Sequence, residues 1–123
     1  MELIEEIKQF HDEMISWRRE IHQHPELGFE ENRTSDFVAK KLKEFGIEVY
    51  RGIAKTGIVG KITNGNGPSI GLRADMDALP LEEKNSFVHA SKYPGKMHAC
   101  GHDGHTAMLL GAAKYLASKK NFQ

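Results

Sequence analysis

The sequence is poor in cysteine, in net charge and in long apolar runs. Its single cysteine cannot form an internal disulfide, which is typical of proteins from a reducing compartment. Seventeen basic and seventeen acidic residues cancel, so no basic field is expected to attract nucleic acid or an anionic membrane. No apolar run has membrane-spanning length, and Met1–Glu6 lacks the features of a signal peptide. These absences predict a cytoplasmic protein whose partner is a small molecule or another protein.

Two amphipathic helices are predicted in the first half of the chain. The first has one apolar stripe at alternating steps of four and three, over about six turns, formed by Leu3, Ile7, Phe10, Met14, Trp17 and Ile21. Pro25 is expected to end it. The second runs from Asn32 to Phe45 and ends at Gly46. Both stripes are expected to pack into the core.

Three strands are predicted after these helices. Residues 47–50, 57–62 and 69–74 show strand-type patterns, and Asn64–Gly67 has the composition of a hairpin turn between the last two. The expected fold is α/β, with helices flanking a central sheet that is at least partly antiparallel. Leu81–Gly95 shows no period and is predicted to be a loop.

The stretch Met97–His105 has the composition of a metal site. Thiolate and imidazole are ligands of zinc, cobalt, nickel and manganese. Cys100 and His102 are two residues apart and cannot share a helix face, so both reach one ion only from a turning backbone, which Gly101 permits. A helical pattern follows, with Asp103 as its predicted N-cap.

Other interpretations of these residues stay open at this point. Cys100 can be a small buried side chain, or a nucleophile with a histidine as its base. His105 can be a hydrogen-bonded residue on a helix face. His22 and His24 can be ligands, but beside a helix-ending proline they are more often solvated or hydrogen-bonded locally.

Two carboxylates are predicted at the end of the third strand. Asp75 and Asp77 lie on the same side of an extended chain. At a strand end they can bind a metal directly or accept a hydrogen bond from a metal-bound histidine. The alternative is a polar turn.

With these motifs identified, the chain resembles the metal-dependent amidohydrolases that include hippurate hydrolase, N-acyl-amino-acid amidohydrolases and plant auxin-conjugate hydrolases. The resemblance spans nearly the whole chain in family order. It rests on Trp17–His22 with Pro25–Glu31, on Thr56–Val59, on Leu72–Pro80 and on Met97–Ala113.

The resemblance implies roles for individual residues. Cys100 and His102 match the two metal ligands of the family motif, and Asp77 matches the aspartate that supports a ligand and is counted as catalytic. Asp75, Asp103 and His105 are candidates for holding those ligands. The implied cofactors are divalent metal ions, either zinc, manganese, cobalt or nickel, with two in each complete site.

The resemblance also implies a fold, a substrate and an assembly. The fold is a zinc-peptidase-like catalytic domain with an inserted lid or dimerisation domain. The substrate is an N-acyl amino acid, whose amide bond is hydrolysed, and the complete enzyme is expected to be a homodimer.

Family members are much longer than this chain and carry a paired-glutamate motif beyond the region matched here. No glutamate follows Glu83 in this sequence. Residues 1–123 are therefore expected to be the N-terminal portion of the catalytic domain, without the inserted domain and the C-terminal part, and to be inactive in isolation. The alternative is a truncated, non-catalytic metal-binding or interaction domain.

Overall fold

The computed structural model describes residues 4–123 and contains four helices and one two-stranded sheet within them. Their order is α1 (Glu5–Lys8), α2 (His11–Gln23), α3 (Asn32–Glu44), β1 (Glu48–Ile53), β2 (Gly57–Lys61) and α4 (His102–Lys119). The α/β class expected from the sequence is confirmed. No helix in the described part of the chain is both long enough and apolar enough to span a membrane.

The first predicted helix is two helices in the structure. The chain turns at Phe10, whose φ of −90° and ψ of 1° leave the helical region. This turn allows α1 to contact the far end of α4, where Lys119 Nζ lies 3.2 Å from Glu6 Oε1. The predicted stripe is otherwise confirmed for Trp17 and Ile21, which are buried, while Leu3 lies outside the described residues.

The second helix and its ends agree with the sequence. α3 ends at Glu44, and Gly46 follows with a φ of 76°. The start of α3 is stabilised by Glu26, whose carboxylate accepts hydrogen bonds from the backbone N–H of Arg33 at 3.0 Å and of Thr34 at 2.7 Å. Glu26 thus satisfies donors that the helix itself leaves unpaired. The Pro–Glu–Leu connection therefore has a structural function as a helix cap.

The sheet is an antiparallel hairpin of β1 and β2. Tyr50 lies opposite Val59 in its register. The hairpin turn contains Ala54 and Lys55, both with positive φ values and without a glycine to signal them. The predicted hairpin at Asn64–Gly67 is wrong: Asn64 instead donates hydrogen bonds to backbone carbonyls near the C-terminus.

The third predicted strand is absent from the described residues. Residues 69–74 form no strand, and the side chains of Ile70 and Leu72 are 87% and 59% exposed. The alternating sequence favours an extended backbone, but a strand also needs hydrogen bonds from a neighbour. Within residues 4–123, β1 pairs with β2 and neither pairs with this segment.

The hydrophobic core lies where α2, α3 and α4 meet the hairpin. The rings of Trp17 and Phe45 are tilted against each other at 5.7 Å between centroids. α2 and α4 cross closely at Gly111, where an added Cβ would lie 2.7 Å from Met14 Sδ. The buried members of the core are Trp17, Val38, Leu42, Ile47, Ala107 and Leu110.

Candidate functional site

Backbone hydrogen bonds bring the two predicted parts of the site together. Leu79 and Met97 exchange N–H···O bonds of 2.9 and 3.0 Å in an isolated antiparallel bridge. The intervening loop has no helix or strand, which confirms the prediction for Leu81–Gly95. Ala78 N–H also donates to Glu26 O at 2.8 Å. The residues directly after Asp77 are therefore held by two backbone partners, Glu26 and Met97.

Asp77 and His102 form a direct hydrogen-bonded pair. His102 Nδ1 lies 2.9 Å from the backbone oxygen of Asp77 and 3.0 Å from its carboxylate Oδ1. With the carboxylate ionised, Nδ1 is the donor and carries the proton. The other ring nitrogen, Nε2, then has a free lone pair, and no hydrogen bond among residues 4–123 uses it. This tautomer is the one a histidine needs to bind a metal through Nε2.

The backbone turns sharply between Cys100 and His102. Gly101 adopts the left-handed conformation with a φ of 87°, and α4 begins at the next residue. A side chain other than hydrogen is strained at that φ, so glycine is favoured there. Cys100 is exposed and forms no disulfide. The turn expected from the spacing of the two residues is therefore present.

Asp103 does not cap α4, contrary to the prediction. Gly101 occupies the N-cap position, and no side chain hydrogen-bonds there. Asp103 instead turns inward, where its Oδ2 accepts hydrogen bonds from Arg18 Nε at 3.0 Å and from His22 Nδ1 at 2.8 Å. Burial alone would raise the pKa of this carboxyl, but the hydrogen bonds from His22 and the Gly104 backbone, with the charge of Arg18, keep it below 3.8. Asp103 is therefore a buried carboxylate.

The two histidines before Pro25 have different environments. His22 is 2% exposed, and its Nε2 lies 3.0 Å from Glu83 Oε1, so the solvated alternative is wrong for this residue. His24 is hydrogen-bonded locally, with Nδ1 2.8 Å from the backbone oxygen of Glu20. Sequence reasoning did not identify His22 and Glu83 as partners, because their contact depends on how the loop folds back onto α2.

His98 is a buried residue of the motif to which sequence reasoning gave no role. It is 4% exposed, and within the described part of the chain neither of its ring nitrogens has a hydrogen-bond partner. Burial lowers its pKa, and although the Asp103 charge opposes this shift, the pKa stays below 6.5.

The remaining candidates lie around this centre. Asp75 pairs with Arg73, 2.8 Å away, and the hydrogen bond from Arg73 lowers the pKa of its carboxyl. The backbone oxygen of Asp75 accepts a hydrogen bond from Thr106 Oγ1 at 3.0 Å. The ring of His105 is 6.0 Å from that of His102. Asp75 thus contacts α4 through its backbone, whereas Asp77 does so through its side chain as well.

Cys100 and His102 carry donor atoms of the kind that bind divalent metal ions. A free thiol, and an imidazole whose Nδ1 is held by a carboxylate, are donors that suit zinc-like ions. Within residues 4–123, no cluster of three or more His, Cys, Asp or Glu side chains is placed to hold one ion. Cys100 and His102 are thus two donors of a suitable kind, which is fewer than the three or four protein ligands of a zinc site.

Comparison with known proteins agrees with this geometry. The chain matches the profile of the peptidase family M20/M25/M40 over residues 71–123. It is 58% identical to the hippurate hydrolase of Campylobacter jejuni over 120 residues, which are 97% of this chain and 31% of that enzyme. The chain is thus similar to the peptidases of the M20 family.

Two further proteins extend the comparison. An N-acyl-L-amino acid amidohydrolase of Geobacillus stearothermophilus is 50% identical over 123 residues, covering 95% of this chain and 33% of that enzyme. The crystal structure of a dinuclear metal-binding M20 peptidase from Bacillus subtilis superposes with a TM-score of 0.86 and 44% identity, covering 91% of this chain and 32% of that one. The chain thus spans about a third of the length of these relatives.

Proposed function

We propose that this chain is the N-terminal portion of the catalytic domain of a metal-dependent amidohydrolase that acts on N-acyl amino acids. The observation that supports the proposal most strongly is the hydrogen bond between Asp77 and His102. A carboxylate behind an imidazole fixes the ring and makes its outer nitrogen a better metal ligand. The names of the two enzymes compared above support the substrate class.

Cys100 and His102 are the proposed metal ligands in this chain. Gly101 lets the chain turn between them, and α4 holds His102 at its first position. The proposed ions are zinc, manganese, cobalt or nickel, two in each complete site, in line with the dinuclear peptidase from Bacillus subtilis. When bound, such ions supply Lewis-acid chemistry that polarises an amide carbonyl.

Asp77 is proposed to act through His102. It accepts the Nδ1 proton with its carboxylate and with its backbone oxygen, so the ring can neither flip nor change tautomer without losing both bonds. Asp75 is proposed to support the site through its backbone oxygen, which accepts a hydrogen bond from Thr106 Oγ1. The general base and the remaining ligands are proposed to come from the part of the catalytic domain that lies outside residues 1–123. The homodimer and the cytoplasmic location expected from the sequence stay predictions.

A second candidate is a non-catalytic metal-binding or interaction domain. It is favoured by one observation: within residues 4–123, no three metal-ligating side chains converge on one point. Two ligands are too few to fix a catalytic ion in a defined open geometry.

A chimera separates the two candidates. This chain replaces the matching 120-residue stretch of the Campylobacter jejuni hippurate hydrolase, with which it shares 58% identity. If the proposal is correct, the chimera hydrolyses hippurate, and changing Cys100→Ser or His102→Ala within it removes bound metal and activity. A folded, metal-loaded chimera without hydrolysis would favour the non-catalytic candidate. The unmodified chain is expected to show no hydrolysis.

A further inference from the structure

A chain of ionisable side chains, buried except for Arg18, connects α2, the loop after Leu79 and α4. Arg18 Nε and His22 Nδ1 both lie within 3.0 Å of Asp103 Oδ2, and His22 Nε2 lies 3.0 Å from Glu83 Oε1. His22 and Asp103 are 2% and 1% exposed. Buried charged groups are costly unless they are paired, so this arrangement needs all its partners. None of these four side chains belongs to the proposed ligand pair.

The two ring nitrogens of His22 have different partners. Nδ1 faces α4 through Asp103, whereas Nε2 faces the loop through Glu83. Glu83 is itself held in place, because its Oε1 also accepts the backbone N–H of Ser91 at 3.0 Å and its Oε2 accepts Asn85 Nδ2 at 3.1 Å. The ring therefore bridges two fixed carboxylates, and each nitrogen makes a separate connection.

The connection through Nδ1 ends beside the proposed metal ligand. Asp103 directly follows His102 in the first turn of α4, and Thr106, at the start of the next turn, donates to the backbone of Asp75. The turn is thus attached to α2 on one side and to the Asp75–Asp77 segment on the other. If the His22 bond is lost, Asp103 keeps only the half-exposed Arg18 as its hydrogen-bond partner on α2, and the 3.0 Å contact between His102 and Asp77 loses part of its support.

We propose that His22 is a positioning residue for the metal site, acting through its Nδ1 bond to Asp103. By fixing Asp103 it fixes the first turn of α4, and so it keeps His102 Nδ1 on Asp77 and His102 Nε2 free for a ligand bond. The inference deepens the proposed function, and its relevance to metal rests on that function. The position of His102 itself does not require a bound metal.

A role in fold stability alone makes a different prediction. If His22 only fills space and pairs buried charge, any substitution that removes either hydrogen bond costs stability, and the state of His102 follows stability. The two carboxamide residues separate these cases, since the nitrogen of Asn can replace Nδ1 and that of Gln can replace Nε2. His22→Asn keeps the donor to Asp103, whereas His22→Gln keeps the donor to Glu83.

The experiment measures the tautomer of His102 by ¹⁵N NMR in the 123-residue chain, beside chemical unfolding of each variant. In the unchanged chain and in His22→Asn, His102 is expected to carry its proton on Nδ1. In His22→Gln, a mixture of tautomers is expected at comparable stability. His24→Gln is the matched control, because His24 hydrogen-bonds only to Glu20 and its ring packs against Tyr93, away from Asp103 and Glu83. If His22→Gln does not fold, Asp103→Asn replaces it and is expected to give the same mixture.

Cobalt titration gives the second measurement. His22→Gln is expected to weaken Co²⁺ binding about two- to threefold, because only the rings that carry their proton on Nδ1 can bind the ion through Nε2. His22→Asn is expected to leave the binding unchanged. Equal effects of the Asn and Gln changes on His102, or no effect of either, would overturn the inference. If the unchanged chain binds no Co²⁺ but the tautomers shift as expected, the metal proposal fails while the positioning role of His22 stands.

Discussion

Asp77 receives the Nδ1 proton of His102 with two oxygens, its backbone carbonyl at 2.9 Å and its carboxylate Oδ1 at 3.0 Å. The two residues are 25 positions apart, and the Leu79–Met97 bridge between them closes the loop that brings them together. The bond leaves His102 Nε2 as the nitrogen available to a metal. It therefore predicts which substitutions affect the site and which affect the fold alone.

The first prediction concerns the charge of Asp77. In the chimera with the hippurate hydrolase, Asp77→Asn keeps an oxygen for His102 but removes the negative charge behind the ring. Activity (kcat) should fall about 10–100-fold, while metal affinity falls by a few-fold at most. Asp75→Asn is the matched control. The Asp75 carboxylate pairs with exposed Arg73, and the hydrogen bond from α4 goes to the backbone oxygen of Asp75. Equal losses for both variants would contradict the special role of Asp77.

The second prediction concerns the crossing of α2 and α4. Gly111→Ala places a methyl group 2.7 Å from Met14 Sδ, so Met14 must move within the packed interface. Gly104→Ala lies in the same helix with nothing within 4 Å of the new methyl group. Although alanine favours a helix at both sites, Gly111→Ala should be less stable than Gly104→Ala by about 1–2 kcal/mol. Urea unfolding measures this difference, and equal stabilities would show that the end of the Met14 side chain moves aside without loss of packing.

The third prediction concerns acid stability. Burial tends to raise the pKa of the Glu83 carboxyl, but the Ser91 backbone N–H, the Asn85 amide and His22 together hold it below 4.5. A lowered pKa in the folded state stabilises the protein above pH 4.5, and this contribution is lost as the pH falls through the folded-state value. At pH 7 the free energy of unfolding of the unchanged chain should exceed that of Glu83→Gln by about 1–3 kcal/mol.

Unfolding both proteins at several pH values between 7 and 3 tests the direction of this pH dependence. The advantage of the unchanged chain over Glu83→Gln should shrink once the pH falls below 4.5. An advantage that stays constant, or grows, in acid would show that the Glu83 carboxylate is not stabilised by its partners.

The fourth prediction concerns the extended segment 69–74. The segment exposes apolar side chains, and its backbone has no strand partner in the described part of the chain. Both features promote association between chains. The 123-residue chain should therefore self-associate, and Ile70→Ser with Leu72→Ser should shift it towards the monomer in a sedimentation series. Val88→Ser is the control, since Val88 is 96% exposed but lies on the long loop. Association that all three substitutions leave unchanged would exclude segment 69–74 as its cause.

Sequence patterns predicted the helices better than the sheet. Helix periodicity, Pro25 and Gly46 are local signals, and α2 and α3 end where those signals indicate. Strand formation depends on a partner elsewhere in the chain, so the alternation in residues 69–74 was insufficient. The hairpin turn at Ala54 and Lys55 carries no glycine, and its positive φ values could not be inferred from composition.

The site shows the same division between local and long-range information. The spacing of Cys100 and His102 indicated a turning backbone, and Gly101 adopts the conformation that only glycine takes easily. The inward direction of Asp103 and its contact with His22 depend on how α2 crosses α4, which no local motif encodes. Burial, rather than spacing, identifies this pair.

The most direct test of the account is the near-ultraviolet absorption of the 123-residue chain titrated with Co²⁺, since a thiolate bound to cobalt gives a charge-transfer band. The account predicts this band in the unchanged chain, its loss in Cys100→Ser and a weaker cobalt affinity in His102→Ala. The exposed His11, at the start of α2, provides the control, so His11→Ala should leave the spectrum unchanged. Absence of the band at millimolar Co²⁺, or the same spectrum after Cys100→Ser, would contradict the claim that Cys100 and His102 form a metal-binding pair.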